Sequence, residues 1–223
     1  MSDGILPQAS LFLGIIPALI LLYISLKGYE GHYKDKNIFL SFVFGIIAGF
    51  ISAIIETFTV AIGILFIILF PILEQLFKTI ILNIGRLQEK RATVVYGLSL
   101  GLGFGSIFVP LSIIMANIQP FDFYLFISVI VGSIGIIMFH GATGIFIGYG
   151  VYLGKLLKYF IITILVHLPL TSWFFLTDYY DVEYLQVGII LYGLIVYWYA
   201  TKKIMPKILS QSQKRKRSRS TSN

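Results

Sequence analysis

Seven long apolar stretches divided by short polar breaks make up nearly the whole chain: residues 5–26, 37–59, 62–85, 92–116, 123–152, 159–177 and 184–203. About 20 apolar residues of helix cross the hydrocarbon core of a bilayer, and each stretch is near or above that length. Only 12% of residues are charged and 57% are hydrophobic. An ordinary soluble domain carries roughly 25% charge, so the expected fold is an all-α, polytopic transmembrane helical bundle of about seven spans. The 37–85 region is too long for one span, so it is expected to turn back once, near Gly63. Segment 123–152 is also overlong, which predicts a tilted or broken helix, with the break at His140-Gly141. Ile5 to Leu26 has no preceding basic residue and no small-residue cleavage site after it, so it reads as a first transmembrane helix rather than a signal peptide. The chain has no cysteine, which excludes disulfides, thiolate catalysis and cysteine-ligated metal.

Seven spans place alternate loops on opposite sides, and the charges then sort. One side receives Lys27, Lys34 and Lys36, then Arg86, Lys90 and Arg91, then Lys155 and Lys158, and the basic C-terminus. The other receives Asp3, Asp122, Asp178, Asp181 and Glu183, and no Lys or Arg. Basic loops stay cytoplasmic, so the N-terminus is expected outside and the C-terminus in the cytoplasm of a multi-pass cell-membrane protein. Phe121, Phe123 and Tyr124, and later Trp173, Tyr179, Tyr180 and Tyr184, flank the acidic loops as an interfacial aromatic belt would. Residues 1–205 read as one transmembrane domain, followed by a basic, disordered cytoplasmic tail over 206–223.

Most of the conspicuous motifs have plain structural readings. The tail Lys214-Arg215-Lys216-Arg217-Ser218-Arg219 is first a topology determinant. Its charge also suits anionic lipid, and nothing points to a specific nucleic acid. Gly101-Leu102-Gly103-Phe104-Gly105 follows no strand, so it is not a nucleotide loop. Gly97-xxx-Gly101 and Gly144-xxx-Gly148 are expected to let helices approach closely. Glu56, near the outer end of the second span, reads as solvated or hydrogen-bonded, and His32 lies in a loop.

Glu74 is different, because it lies about ten residues, or roughly 15 Å, from the end of its apolar stretch. Hydrocarbon does not solvate a carboxylate, so an ionisable group there is costly and usually functional. Lys78 is four residues on, in the favourable order for an acid–base pair on one helical face, and a structural ion pair is the competing reading. His140 and His167 interrupt later apolar stretches at overlapping depth. A lone membrane histidine is more often a helix–helix hydrogen-bonding residue. A carboxylate and two imidazoles facing one cavity have the groups to hold a water and take its proton. No cofactor is expected. Imidazole and carboxylate also suit a divalent metal such as zinc, but the compact HExxH pattern is absent, which makes that the weaker reading.

Phe70-Pro71-Ile72-Leu73-Glu74-Gln75-Leu76-Phe77-Lys78 resembles the PExxEExxK-like motif of PrsW-type intramembrane proteases, in the superfamily that includes the CAAX-prenyl proteases and bacteriocin-processing enzymes. Tyr96-Gly97-Leu98-Ser99-Leu100-Gly101-Leu102-Gly103-Phe104 is similar to that family's glycine-rich GxxxGxGF helix. His140-Gly141-Ala142-Thr143-Gly144 with Gly148 resembles its HxxxGxxxG helix, and the segment around His167 its last histidine helix. The resemblance covers roughly residues 70–175. It implies a helical bundle with Glu74 as general base, His140 and His167 as water or oxyanion ligands, Gln75, Lys78 and Thr171 in support, and a membrane protein or membrane-proximal peptide as substrate. Three positions depart from the pattern: Gln75 replaces the second glutamate, Phe108 stands where a polar group is expected, and Thr171 replaces an Asn or Asp. Two expectations follow, a divergent peptidase or a catalytically inactive homologue that binds or scaffolds membrane partners. A small proton-coupled transporter ranks third, because the internal repeat common in carriers is missing.

Overall fold

The computed structural model describes residues 5–59, 63–88, 91–108, 110–111, 123–180 and 186–209. They form seven α-helices: α1 (Ile5–Leu26), α2 (Asp35–Thr59), α3 (Ile64–Leu82), α4 (Ala92–Ser106), α5 (Phe123–Leu153), α6 (Leu156–Tyr180) and α7 (Gln186–Tyr199). A π-helical turn, Ala200–Ile204, continues α7. No strand occurs among the described residues. Long runs of Leu, Ile, Phe and Val without water-competing polar side chains leave the backbone to satisfy itself within each segment, which a helix does completely.

Four helices are long and apolar enough to cross a membrane: α2, α3, residues 130–153 of α5 and residues 156–176 of α6. The reversal expected near Gly63 lies between the end of α2 and the start of α3, and Gly63 itself takes φ 68°. That left-handed conformation carries no steric cost for glycine. α5 corrects one expectation, because it runs unbroken for 31 residues through His140-Gly141. Its glycines admit neighbouring helices instead of kinking it. α4 has 15 residues. The rest of the stretch expected to extend to 116 is mostly outside the described residues, as are 210–223 of the basic tail. Met205 and Ile208 are fully buried, so the folded core reaches past residue 205.

α4 is the centre of the bundle, with all fifteen of its residues buried. It packs chiefly against α5 and α2. Glycines make that possible. A Cβ at Gly97 would lie 2.2 Å from the Gly144 carbonyl oxygen, and one at Gly144 would lie 2.0 Å from that of Gly97. A Cβ at Gly101 would meet the His140 oxygen at 2.0 Å, and one at Gly148 the Thr93 oxygen at 2.5 Å. On the opposite side Gly45 and Gly49 of α2 press on the Leu100 and Phe104 carbonyls. Small-residue seams of this kind give helices packing contact where lipid supplies no hydrophobic drive between them.

Among the described residues, the exposed faces of the helices are largely apolar. Phe12, Tyr23, Phe39, Phe58, Ile64, Leu157, Ile195 and Trp198 are all exposed. α3 shows the inversion most clearly, since it exposes Ile64, Leu65, Ile68, Leu69, Leu76 and Ile80 and buries Glu74, Gln75 and Lys78. An apolar exterior of this extent is characteristic of lipid or partner contact.

Gly101→Val and Gly144→Val are expected to cost about 1–3 kcal/mol or more, because backbone and not a movable side chain blocks the added atoms. Gly85, with open space around its Cβ position, is the control. Gly85→Ala should change stability by less than about 0.5 kcal/mol. Unfolding in detergent micelles measures both.

Candidate functional site

α3 presents Phe70, Pro71, Glu74, Gln75, Lys78 and Leu82 on its buried face, at the three- and four-residue spacing of one helical side. α5 brings His140 and Thr143 to the same place, and α6 brings His167. Five of the six residues singled out from the sequence therefore meet. Glu74, Gln75 and Lys78 have no exposed surface, and His140 and His167 retain 2% and 3%.

The contacts are specific. The Lys78 ammonium donates to His140 Nδ1 at 2.7 Å and to Thr143 Oγ1 at 3.0 Å. It also lies 4.5 Å from the centre of the Phe104 ring, within cation–π range. Gln75 Nε2 donates to His167 Nδ1 at 2.9 Å, while Gln75 Oε1 lies 3.5 Å from the ammonium. Glu74 Oε2 is 3.4 Å from His167 Nδ1 and 3.8 Å from His140 Nδ1. The two imidazoles stand edge to face, with ring centres 5.6 Å apart.

Glu74 stands out within this network, because neither carboxylate oxygen has a hydrogen-bond partner. A buried polar group without a partner costs about 1–3 kcal/mol, and more when charged. Its neighbours are satisfied at its expense: the ammonium turns to His140 and Thr143, and the Gln75 amide turns to His167. The acid–base pairing expected along α3 is thus replaced by bonds between helices. A carboxylate held free beside two imidazoles has the groups needed to accept a proton from a water lodged among them.

Of three other residues read from the sequence, Thr171 departs from its expected role, whereas Glu56 and Phe108 lie where the sequence placed them. Thr171 is buried on α6, but its hydroxyl donates to its own helix, to the His167 carbonyl at 3.4 Å. Glu56 is half-buried near the end of α2. Phe108 lies with its ring stacked on His140, centres 5.2 Å apart and planes 14° apart. Sequence reasoning missed Thr143, Phe104 and Phe139. Thr143 follows His140 by three residues and so shares its face of α5, a usable signal. Phe139, whose ring packs 4.8 Å from that of His167, gave none.

Zinc fits this donor set poorly. Among the described residues no group of three or more His, Cys, Asp or Glu side chains is arranged as a metal site. His140 Nδ1, one of the two ring nitrogens able to ligate a metal, is engaged by the Lys78 ammonium instead. No protein-family model matches this chain, and no curated protein or solved structure matches it either.

If the cluster is kept for chemistry, its carboxylate weakens the fold. Glu74→Met is expected to raise stability by about 1–3 kcal/mol in a detergent unfolding assay, by removing an unpartnered buried group. A structural ion pair predicts the opposite sign, a loss of about 3–5 kcal/mol from stranding Lys78.

Proposed function

We propose that this chain is a multi-pass cell-membrane protein of about seven spans, with the N-terminus outside, and a divergent PrsW-type intramembrane peptidase with Glu74 as its general base. The observation that carries the reading is the unpartnered Glu74 carboxylate within 4 Å of both imidazoles. In this mechanism a water enters beside Glu74 and gives it a proton as the oxygen attacks the scissile carbonyl. His140 and His167 donate to the oxyanion, and Glu74 returns the proton to the leaving amine as the C–N bond breaks. One water is consumed, and the products are a carboxylic acid and an amine. The substrate class is a membrane protein or a peptide close to the membrane, and the basic C-terminal tail suits contact with anionic lipid.

One observation favours a second reading, a non-catalytic homologue that binds membrane partners through the same cluster. The apolar Phe108 ring covers a face of His140 where the resembled family carries a polar group.

Hydrolysis by the purified protein of a solubilised membrane-protein preparation in ¹⁸O-water should place ¹⁸O in new C-terminal carboxyls. Glu74→Gln should cut that incorporation at least about 100-fold while the protein accumulates normally. Equal incorporation by the variant would remove Glu74 as the base, and none by wild type would favour the second reading.

Because the chain has no native cysteine, its orientation is testable with single cysteines. A membrane-impermeant thiol reagent applied outside intact cells should label Asp122→Cys and miss Lys155→Cys. The reverse pattern would invert the topology.

A further inference from the structure

We infer that Lys78 is a positioning residue that fixes the tautomers of both histidines, so that each carries its ring proton on Nε2 and turns an unprotonated Nδ1 toward Glu74. Its consequence for catalysis rests on the peptidase reading above, whereas the tautomers themselves do not.

In its ammonium form Lys78 has three donors and no acceptor. Its 2.7 Å bond to His140 therefore requires a lone pair on Nδ1 and places the hydrogen of the neutral ring on Nε2. Thr143 points the same way. Its single hydroxyl proton goes to the His140 carbonyl at 3.0 Å, which leaves an oxygen lone pair for the ammonium at 3.0 Å.

The second histidine is set through Gln75. The amide turns Oε1 toward the ammonium, 3.5 Å away, because the reverse orientation would set an NH₂ group against a cation. The NH₂ end is then committed to His167 at 2.9 Å, and an amide nitrogen only donates. His167 Nδ1 must accept, and its proton also goes to Nε2. One charge on α3 thus orders two rings on two other helices.

The polar groups that meet here are Glu74, Gln75 and Lys78 from α3, His140 and Thr143 from α5, and His167 from α6, with the Phe104, Phe108 and Phe139 rings against them. Among them the carboxylate receives no N–H from either ring, in contrast to a site where an acid orients a histidine by accepting its Nδ1 proton. That separates the roles under the peptidase reading: Glu74 remains the only base, and the histidines act as Nε2–H donors.

The test is ¹⁵N NMR of histidine-labelled protein in lipid bilayers, with signals assigned from His140→Phe and His167→Phe. Wild type should show both buried imidazoles as neutral Nε2–H tautomers. Lys78→Arg, which keeps a donor, should preserve the His140 pattern. Lys78→Met should convert His140 wholly or partly to Nδ1–H and broaden or shift His167 as the Gln75 amide is released. An Nδ1–H or doubly protonated ring at either position in wild type would overturn the proposal, as would a Lys78→Met spectrum identical to wild type. If Lys78→Met does not fold, wild type and Lys78→Arg decide. Correct tautomers without ¹⁸O incorporation would reject the peptidase reading alone. Incorporation with the wrong tautomers would reject only the positioning role.

Discussion

The close approach of α4 to its neighbours is the constraint on which the rest of the molecule depends. Gly101 touches the backbone of His140, and a Cβ at Gly105 would lie 3.3 Å from the His140 side chain. Two helices can come this near only where glycine removes the side chain from at least one side of the contact. That seam sets the height and rotation of α5, and hence where His140 and Thr143 meet α3. Gly45 and Gly49 hold α2 against the other side of α4. The polar centre thus depends on backbone packing that reaches His140 itself.

Within the centre, satisfaction is unequal. Lys78 has His140, Thr143 and the Phe104 ring, and Gln75 has His167. Glu74 has two imidazole nitrogens nearby and a hydrogen bond from neither. A group selected only to join helices would be expected to collect the donors within reach, since that is what makes burial tolerable. Glu74 instead has no hydrogen-bond partner within the protein, a pattern associated with sites that trade stability for chemistry.

Much of this was legible in the sequence, because burying polar groups in an apolar chain leaves a strong signal. Helix bounds for α1 and the reversal at Gly63 follow from run length and one glycine. The meeting of Glu74, His140 and His167 follows from their rarity and depth. The partners of Lys78 were hidden, because spacing along α3 reports neighbours on that helix and says nothing of which acceptors another helix presents. The continuity of α5 was hidden for a related reason: Gly141 reads as a breaker, and only the facing surfaces, Leu102 and Tyr197, show it to be a packing contact. Thr171 has the right spacing from His167, but its hydroxyl has a nearer acceptor in its own backbone.

The buried face of α3 meets α6 at His167, which places Glu74 within 4 Å of both imidazoles. Short-range cross-linking between paired cysteines tests it without reference to activity, since the native chain supplies no competing thiol. Gln75→Cys with His167→Cys should join rapidly through a short bifunctional thiol reagent in membranes. Leu76→Cys, one residue along and on the exposed face of α3, should not join to the same His167→Cys. Equal cross-linking of the two pairs, or joining through position 76 alone, would contradict the placement of Glu74 in this centre.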